Sequence, residues 1–195
     1  MKRLFDIIVS VTILFIFLPI GGLISLLIVL ESKGGVFYKQ ERMGKNCQPF
    51  YLFKYRSMLK DADKLGKLTV GMRDPRITTS GYYLRKFKLD EFPQFLNVLF
   101  GDMSIVGPRP EVKEFVDLYN KEQLRVLEVK PGITDYASLE YFNENEILGN
   151  SLDPNKTYID EVMPAKLKLN LEYIQNHNLF GDLKIMGMTF LKIIK

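Results

Sequence analysis

From Ile7 to Leu30 about 24 residues pass without a charged side chain, long enough for a helix to cross a hydrocarbon core of about 30 Å. No other feature limits the chain so severely. A secretory signal would compete for Lys2, Arg3 and an apolar run, but this run is too long for an h-region and lacks a small-x-small cleavage site before Glu31. Pro19, followed by Gly21 and Gly22, falls near its middle. Proline removes a helical hydrogen bond and crowds the preceding turn. A break there would leave two arms of about 18 Å each, neither able to cross alone. Lys2 and Arg3 precede the segment and Lys33, Lys39 and Arg42 follow it, so the positive-inside tendency favours both ends on the cytoplasmic side. A kinked single span and a re-entrant hairpin both satisfy these residues. Asp6, at the edge, is expected to pair with a neighbouring base.

The remainder reads as one globular unit. A chain of 195 residues with 47% hydrophobic content accommodates one domain and a short accessory segment. The division expected is 1–32 for the membrane segment and 33–195 for the globular part. A formal charge of +4 points to anionic partners without choosing among them. Cys47 and His177, each the single residue of its type, exclude an internal disulfide and the usual structural zinc site, and both read as structural. The many carboxylates and few soft ligands make magnesium the metal expected, if one is used.

VFYKQERMG and PFYLFKYRSM flank Gly44, Lys45 and Asn46 and read as a β-hairpin. Its aromatics alternate with Lys39, Arg42, Lys54 and Arg56, a mixture that suits either a headgroup boundary or a half-buried hairpin. Asp74–Pro75–Arg76 marks a loop. Helices are expected from Thr78 to about Lys86; from Leu89 with Asp90 as cap, Pro93 in the first turn and Gly101 as terminator; from Glu111 to about Lys130; and from Met163 to about Asn176. The last stretch, with Lys184, Lys192 and Lys195, reads as a surface helix on an anionic membrane or as a core helix. The fold class expected is α+β and helix-rich.

Three clusters carry chemistry. Asp90 and Glu91 lie side by side after Arg85, Lys86 and Lys88; they suit catalysis, and equally suit a helix start, where amides and the helix dipole favour carboxylates. Arg109 stands between Pro108 and Pro110, stiffened for phosphate recognition or simply placed in a proline-rich turn. Lys54, Arg56, Asp74 and Arg76 add charge in loop or strand-end settings.

The segments FYKQERMGKN, FKYRSM, DPRIT, LRKFKLDEFPQFLNVLFGDMSIVGPRP and KPGIT together resemble the monotopic phosphoglycosyl transferases, or bacterial sugar transferases, from Lys2 to the carboxyl terminus. By its length the chain resembles the small members that contain only the catalytic unit. The resemblance implies a re-entrant amino-terminal helix in the cytoplasmic leaflet of the bacterial inner membrane and a catalytic domain resting on that leaflet. It further implies transfer of a phosphosugar from a UDP-sugar to undecaprenyl phosphate, with release of UMP, at the start of surface glycan or exopolysaccharide assembly. Asp90 falls on the family's nucleophile, forming a phosphosugar-aspartyl intermediate, and Glu91 on the residue that helps bind Mg2+.

By this reading Arg109 holds the phosphoryl group, and Arg85, Arg56, Lys54 and Arg76 add positive charge. Such charge is needed, because two like unit charges about 4 Å apart repel by about 4 kcal/mol at an effective dielectric near 20.

Two positions depart from the family's habit. Leu18 precedes Pro19 where many members have serine, and Asp135 and Tyr136 with a longer insert come after KPGIT; the insert is expected to shape the sugar pocket. A non-catalytic membrane-surface adaptor retaining the fold is the alternative, and direct attack by the acceptor is the alternative mechanism. Nucleic acid is not expected as a partner, because the basic and aromatic residues adjoin a membrane segment. Whether the chain acts as a monomer or a homodimer is left open.

Overall fold

In the computed structural model, which describes residues 2–62 and 74–194, the apolar run forms one helix, α1 (Lys2–Glu31), with Pro19 inside it. The interruption expected at Pro19 does not divide the helix. Asp6, Ser10, Phe17, Gly21, Ile24 and Ile28 make a buried stripe on both sides of the proline, so packing holds the flanking turns where one hydrogen bond is lost. Gly21 serves close packing: a Cβ there would lie 2.7 Å from Tyr55 Oη.

Both ends of α1 are fastened to the rest of the chain. At the start, Lys2 pairs with Asp182, Arg3 Nη2 donates to the Leu99 carbonyl at 3.0 Å, and Asp6 accepts from Ser104 Oγ at 2.8 Å. Asp6 therefore meets a hydroxyl and the Ile105 amide instead of the base expected for it. At the far end Glu31 accepts from the Thr79 and Ser80 amides at 2.6 and 2.9 Å, and Arg56 Nη2 donates to the Ser32 carbonyl at 2.7 Å. The opposite flank, including Leu4, Ile8, Phe15, Leu18, Leu23 and Leu30, is exposed.

The hairpin forms as read, from β1 (Phe37–Met43) and β2 (Pro49–Tyr55), antiparallel with Phe37 opposite Tyr55 and Met43 opposite Pro49. Its turn places Asn46 and Cys47 at φ 56° and 57°. The helix α2 (Thr79–Lys86) is capped by Thr78. The next segment departs from the single helix expected from Leu89: a 3-10 turn covers Leu89–Glu91, and α3 (Gln94–Phe100) starts after Pro93. Asp90 caps neither element. Gly101 terminates α3 with φ 95°, as expected.

The helix expected over 111–130 is replaced by α4 (Lys113–Val116) and a 3-10 segment Gln123–Glu128. Asn120 and Gln123 exchange amide-to-side-chain hydrogen bonds, both 2.9 Å, and this reciprocal pair starts a new turn where the first should have continued. A second sheet, unread in the sequence because each strand has three residues, pairs β3 (Ser104–Val106) with β4 (Gly132–Thr134) in parallel. Gly132 fits because a Cβ there would lie 2.1 Å from the Gly107 nitrogen.

The insert after KPGIT folds into α5 (Tyr136–Glu140), α6 (Glu144–Gly149), α7 (Pro154–Thr157) and a π turn Tyr158–Val162. Two longer helices complete the order, α8 (Met163–Asn176) and α9 (Leu179–Ile193). Insert residues Leu148, Tyr158 and Val162 join Met43, Phe115 and Leu167 in one core cluster. A second unites Leu52, Val98, Ile105, Tyr173 and Ile185, and a third packs α1 on Tyr55 and Leu84. Helix α9 buries Ile185 but exposes Phe180, Leu183, Phe190 and Leu191. It packs as a core helix along the side of Ile185 and leaves an apolar flank exposed; Lys195 and most of the stretch between Asp61 and Arg76 lie outside the described residues.

Candidate active site

The site begins with a backbone reversal. Lys88 adopts φ 55° and ψ 20°, a left-handed conformation uncommon outside glycine, and the 3-10 turn after it carries Asp90 and Glu91 inward. Phe92 stacks on Phe17 of α1 with ring centroids 3.9 Å apart, fixing the exit from the turn. Asn97, fully buried on α3, accepts from the Phe53 amide at 3.0 Å and donates to the Tyr51 carbonyl at 2.7 Å. These bonds hold α3 against β2 and so place the acidic pair beside Lys54.

Arg109 arrives from the opposite side. Its amide donates to Asp135 Oδ2 at 3.1 Å, while Asp135 Oδ1 accepts from the Ser138 amide at 2.6 Å and caps α5. The guanidinium meets Glu91 as a fork, with Nη1 to Oε2 at 3.1 Å and Nη2 bonded to Oε1. Lys54 Nζ lies 3.4 Å from the same Oε1. Glu91 is therefore bonded at both oxygens, whereas Asp90, 6% exposed, makes no side-chain hydrogen bond to the described residues.

Electrostatics separate the two acids. Burial raises the Asp90 pKa first and the charge of Glu91 adds to it; Lys54, Arg85 and Lys88 oppose this without cancelling it. Burial would raise Glu91 too, but Arg109 and Lys54 outweigh it and hold the carboxyl well below its usual range. Burial lowers the Lys54 pKa, with Glu91 acting in the opposite direction. One carboxylate is thus held ionised by its partners, and the other sits in surroundings that disfavour its charge.

Asp90, Glu91, Lys54, Arg56, Arg76, Arg85 and Arg109 all line one cavity of about 1220 Å³, and Asp74 of the third cluster does not. Their commitments differ. Arg85 acts on Asp90 through its charge. Arg56 is bonded to the end of α1, and Arg76 to Asp74 through Nε at 2.9 Å and Nη2 at 2.6 Å. Cys47 is exposed and free, and His177 Nδ1 lies 2.8 Å from the Ile174 carbonyl; neither lines the cavity.

Sequence reasoning missed Asn97 and Asp135. The second had a signal, an Asp three residues before Ser138 at a helix start.

Among the described residues no cluster of three or more metal-binding side chains is present. Two adjacent carboxylates still fit magnesium, which commonly takes one or two carboxylates and fills its octahedron with substrate phosphates and water.

A profile of the bacterial sugar transferase family matches residues 1–195. The uncharacterised sugar transferase EpsL of Bacillus subtilis is 36% identical over 100% of this chain and 87% of its own length. The UDP-N-acetylgalactosamine-undecaprenyl-phosphate N-acetylgalactosaminephosphotransferase of Aeromonas hydrophila is 36% identical over 99% of this chain and 43% of its own length. The UDP-glucose:undecaprenyl-phosphate glucose-1-phosphate transferase of Escherichia coli is also 36% identical, over 98% of this chain and 40% of its own length. The chain thus spans less than half of these two relatives.

Proposed function

The chain belongs to the bacterial sugar transferase family, and on that premise we propose that it transfers a phosphosugar from a UDP-sugar to undecaprenyl phosphate, releases UMP and initiates assembly of a surface glycan. The observation that carries this reading is Asp90: a buried carboxylate without a hydrogen-bonding partner among the described residues, on the wall of a roomy cavity, with cations around it.

Attack by an Asp90 oxygen on the sugar-linked phosphorus of the donor forms an aspartyl phosphosugar and breaks the bond to UMP, which leaves with the bonding electron pair. A phosphate oxygen of the acceptor then attacks the same phosphorus, and the Asp90 carboxylate is released unchanged. The chain's own part is to exclude water, hold Asp90 near the donor and oppose the repulsion of like charges with Arg109, Lys54 and Arg85. Magnesium, held by Glu91 and the diphosphate, would supply further neutralisation. Both oxygens of Glu91 are engaged in the structure, so the carboxylate that would hold the ion also anchors Arg109 and Lys54.

The shape of the cavity supports an amphiphilic acceptor, because its lining runs from the charged residues to Ile13 and Ile16 of α1 and Phe190 and Ile193 of α9. The fastening of both ends of α1 to one body supports the re-entrant reading. A straight spanning helix would separate its ends across a core of about 30 Å, with the globular part of residues 33–195 on one side only. The flanking lysines and arginines support the cytoplasmic leaflet.

The test is UMP release from a panel of UDP-sugars in the presence of undecaprenyl phosphate and magnesium, together with trapping of labelled phosphosugar on the protein without acceptor. The expected result is release with at least one donor, label on Asp90, and loss of both in Asp90→Asn. Activity persisting in that variant would replace the covalent route with direct attack, and absence of release with every donor would favour an adaptor.

A further inference from the structure

One wall of the cavity is polar for reasons the phosphoryl chemistry does not use. It is built by α5, the insert helix α6, and α8, through Ser138, Asn143, Glu144, Lys166 and Asn170. Two of its atoms, Ser138 Oγ and Asn170 Oδ1, are buried and have no hydrogen-bonding partner among the described residues. Asn170 is 5% exposed, so ordinary solvation does not satisfy its amide. Leaving such an oxygen unpaired destabilises the fold, a cost that an apolar residue of similar size would avoid. Beside these atoms Lys166 Nζ and Glu144 Oε2 form a half-buried pair at 2.5 Å, bridging α8 to α6.

This wall adjoins the phosphate end of the cavity. The Asp135 carboxylate receives the amides of both Arg109 and Ser138, so a single side chain spaces the wall from the arginine. The charge of Glu144 also acts on the Arg109 guanidinium. A diphosphate gathered between Asp90 and Arg109 would hold an attached ring against a wall that carries one unpaired acceptor, one unpaired hydroxyl and a charged pair. Sugar hydroxyls offer the matching groups, which an isoprenoid lacks.

We propose that Ser138 and Asn170 form the subsite that recognises the sugar hydroxyls of the donor, with the Glu144–Lys166 pair orienting the same ring. The inference rests on the UDP-sugar reading above and assigns the part of the site that chooses among donors. A site built to bond a hydroxyl discriminates strongly against a donor lacking it, because its own buried groups are left unpaired.

The experiment is a cycle between protein and substrate. UMP release is measured for the best UDP-sugar and for its singly deoxygenated analogues, using the full chain, Asn170→Ala and Ser138→Ala, with inhibition by UDP as a check that the nucleotide end remains formed. Removing one particular hydroxyl is expected to lower kcat/KM of the unmodified protein by about tenfold. One of the two variants loses a similar factor on the parent sugar and little more on that analogue, while UDP inhibits as before. Losses that multiply in full for every analogue in both variants would overturn the subsite while leaving the transferase reading in place. Ser138→Ala, the smaller change, carries the comparison alone if Asn170→Ala no longer responds to UDP. No release from any UDP-sugar by the unmodified protein would overturn the transferase reading itself, and the subsite with it.

Discussion

Asp90 is held at the expense of stability. Its carboxyl is buried beside the negative charge of Glu91, so its pKa is raised in the folded state. The sign follows from proton binding: the folded chain holds this proton more tightly than the unfolded one, so folding weakens as pH rises from the unfolded value through the folded one. Asp90→Asn is expected to abolish transfer yet raise Tm, with a gain that grows across that window and levels off above it. A gain of about 1 kcal/mol would appear as about 2–4 °C in a domain of this size. Thermal denaturation of both proteins at several pH values checks this. The acid limb of kcat/KM should lie above the ordinary aspartate range, because attack requires the ionised form. In Glu91→Gln the residual activity should have its acid limb at lower pH, since a negative neighbour is gone and Arg109 loses its partner; a limb that does not move would show that another group titrates there. The paired acids and their basic neighbours were legible in the sequence, but their role was not, because helix starts and phosphoryl transfer favour the same residues. The structure removes the capping role, since Asp90 caps neither flanking element, and its burial depends on residues far along the chain.

Elements followed the same division between local and distant causes. The hairpin, α2 and α8 were readable because strand composition, a Thr cap and a periodic apolar face are written within a few residues of each other. The stretch over 111–130 was not, since its periodicity continued while Asn120 and Gln123 turned the backbone. The parallel pair β3–β4 left only glycines as a trace. Gly132→Ala would force a Cβ against the Gly107 backbone and is expected to cost about 1–3 kcal/mol or more, measured as a lowered denaturation midpoint. The insert is also structural. Leu148 is fully buried, so Leu148→Ala is expected to destabilise the protein by about 2–5 kcal/mol; a change within about 0.5 kcal/mol would mark the insert as an appendage.

At the scale of the whole molecule the amino-terminal helix decides topology. Its length, flanking charges and proline alone left a kinked span and a hairpin equally open, and only the family resemblance favoured the hairpin. The bonds of Arg3 and Asp6 at one end and Glu31 at the other were invisible there, because their partners lie about 50 to 100 residues away. In sealed vesicles an epitope ahead of Met1 and a thiol introduced by Lys33→Cys in a Cys47→Ser background should be reached from the same side. Opposite sidedness would require a crossing helix. Because Lys2 is clasped by Asp182 near the other terminus, the first and last helices close the chain into a ring of contacts. Peeling the hydrophobic helix away from lipid would therefore unclasp the enzyme itself, and detergent extraction should be felt at the carboxylate as much as at the bilayer.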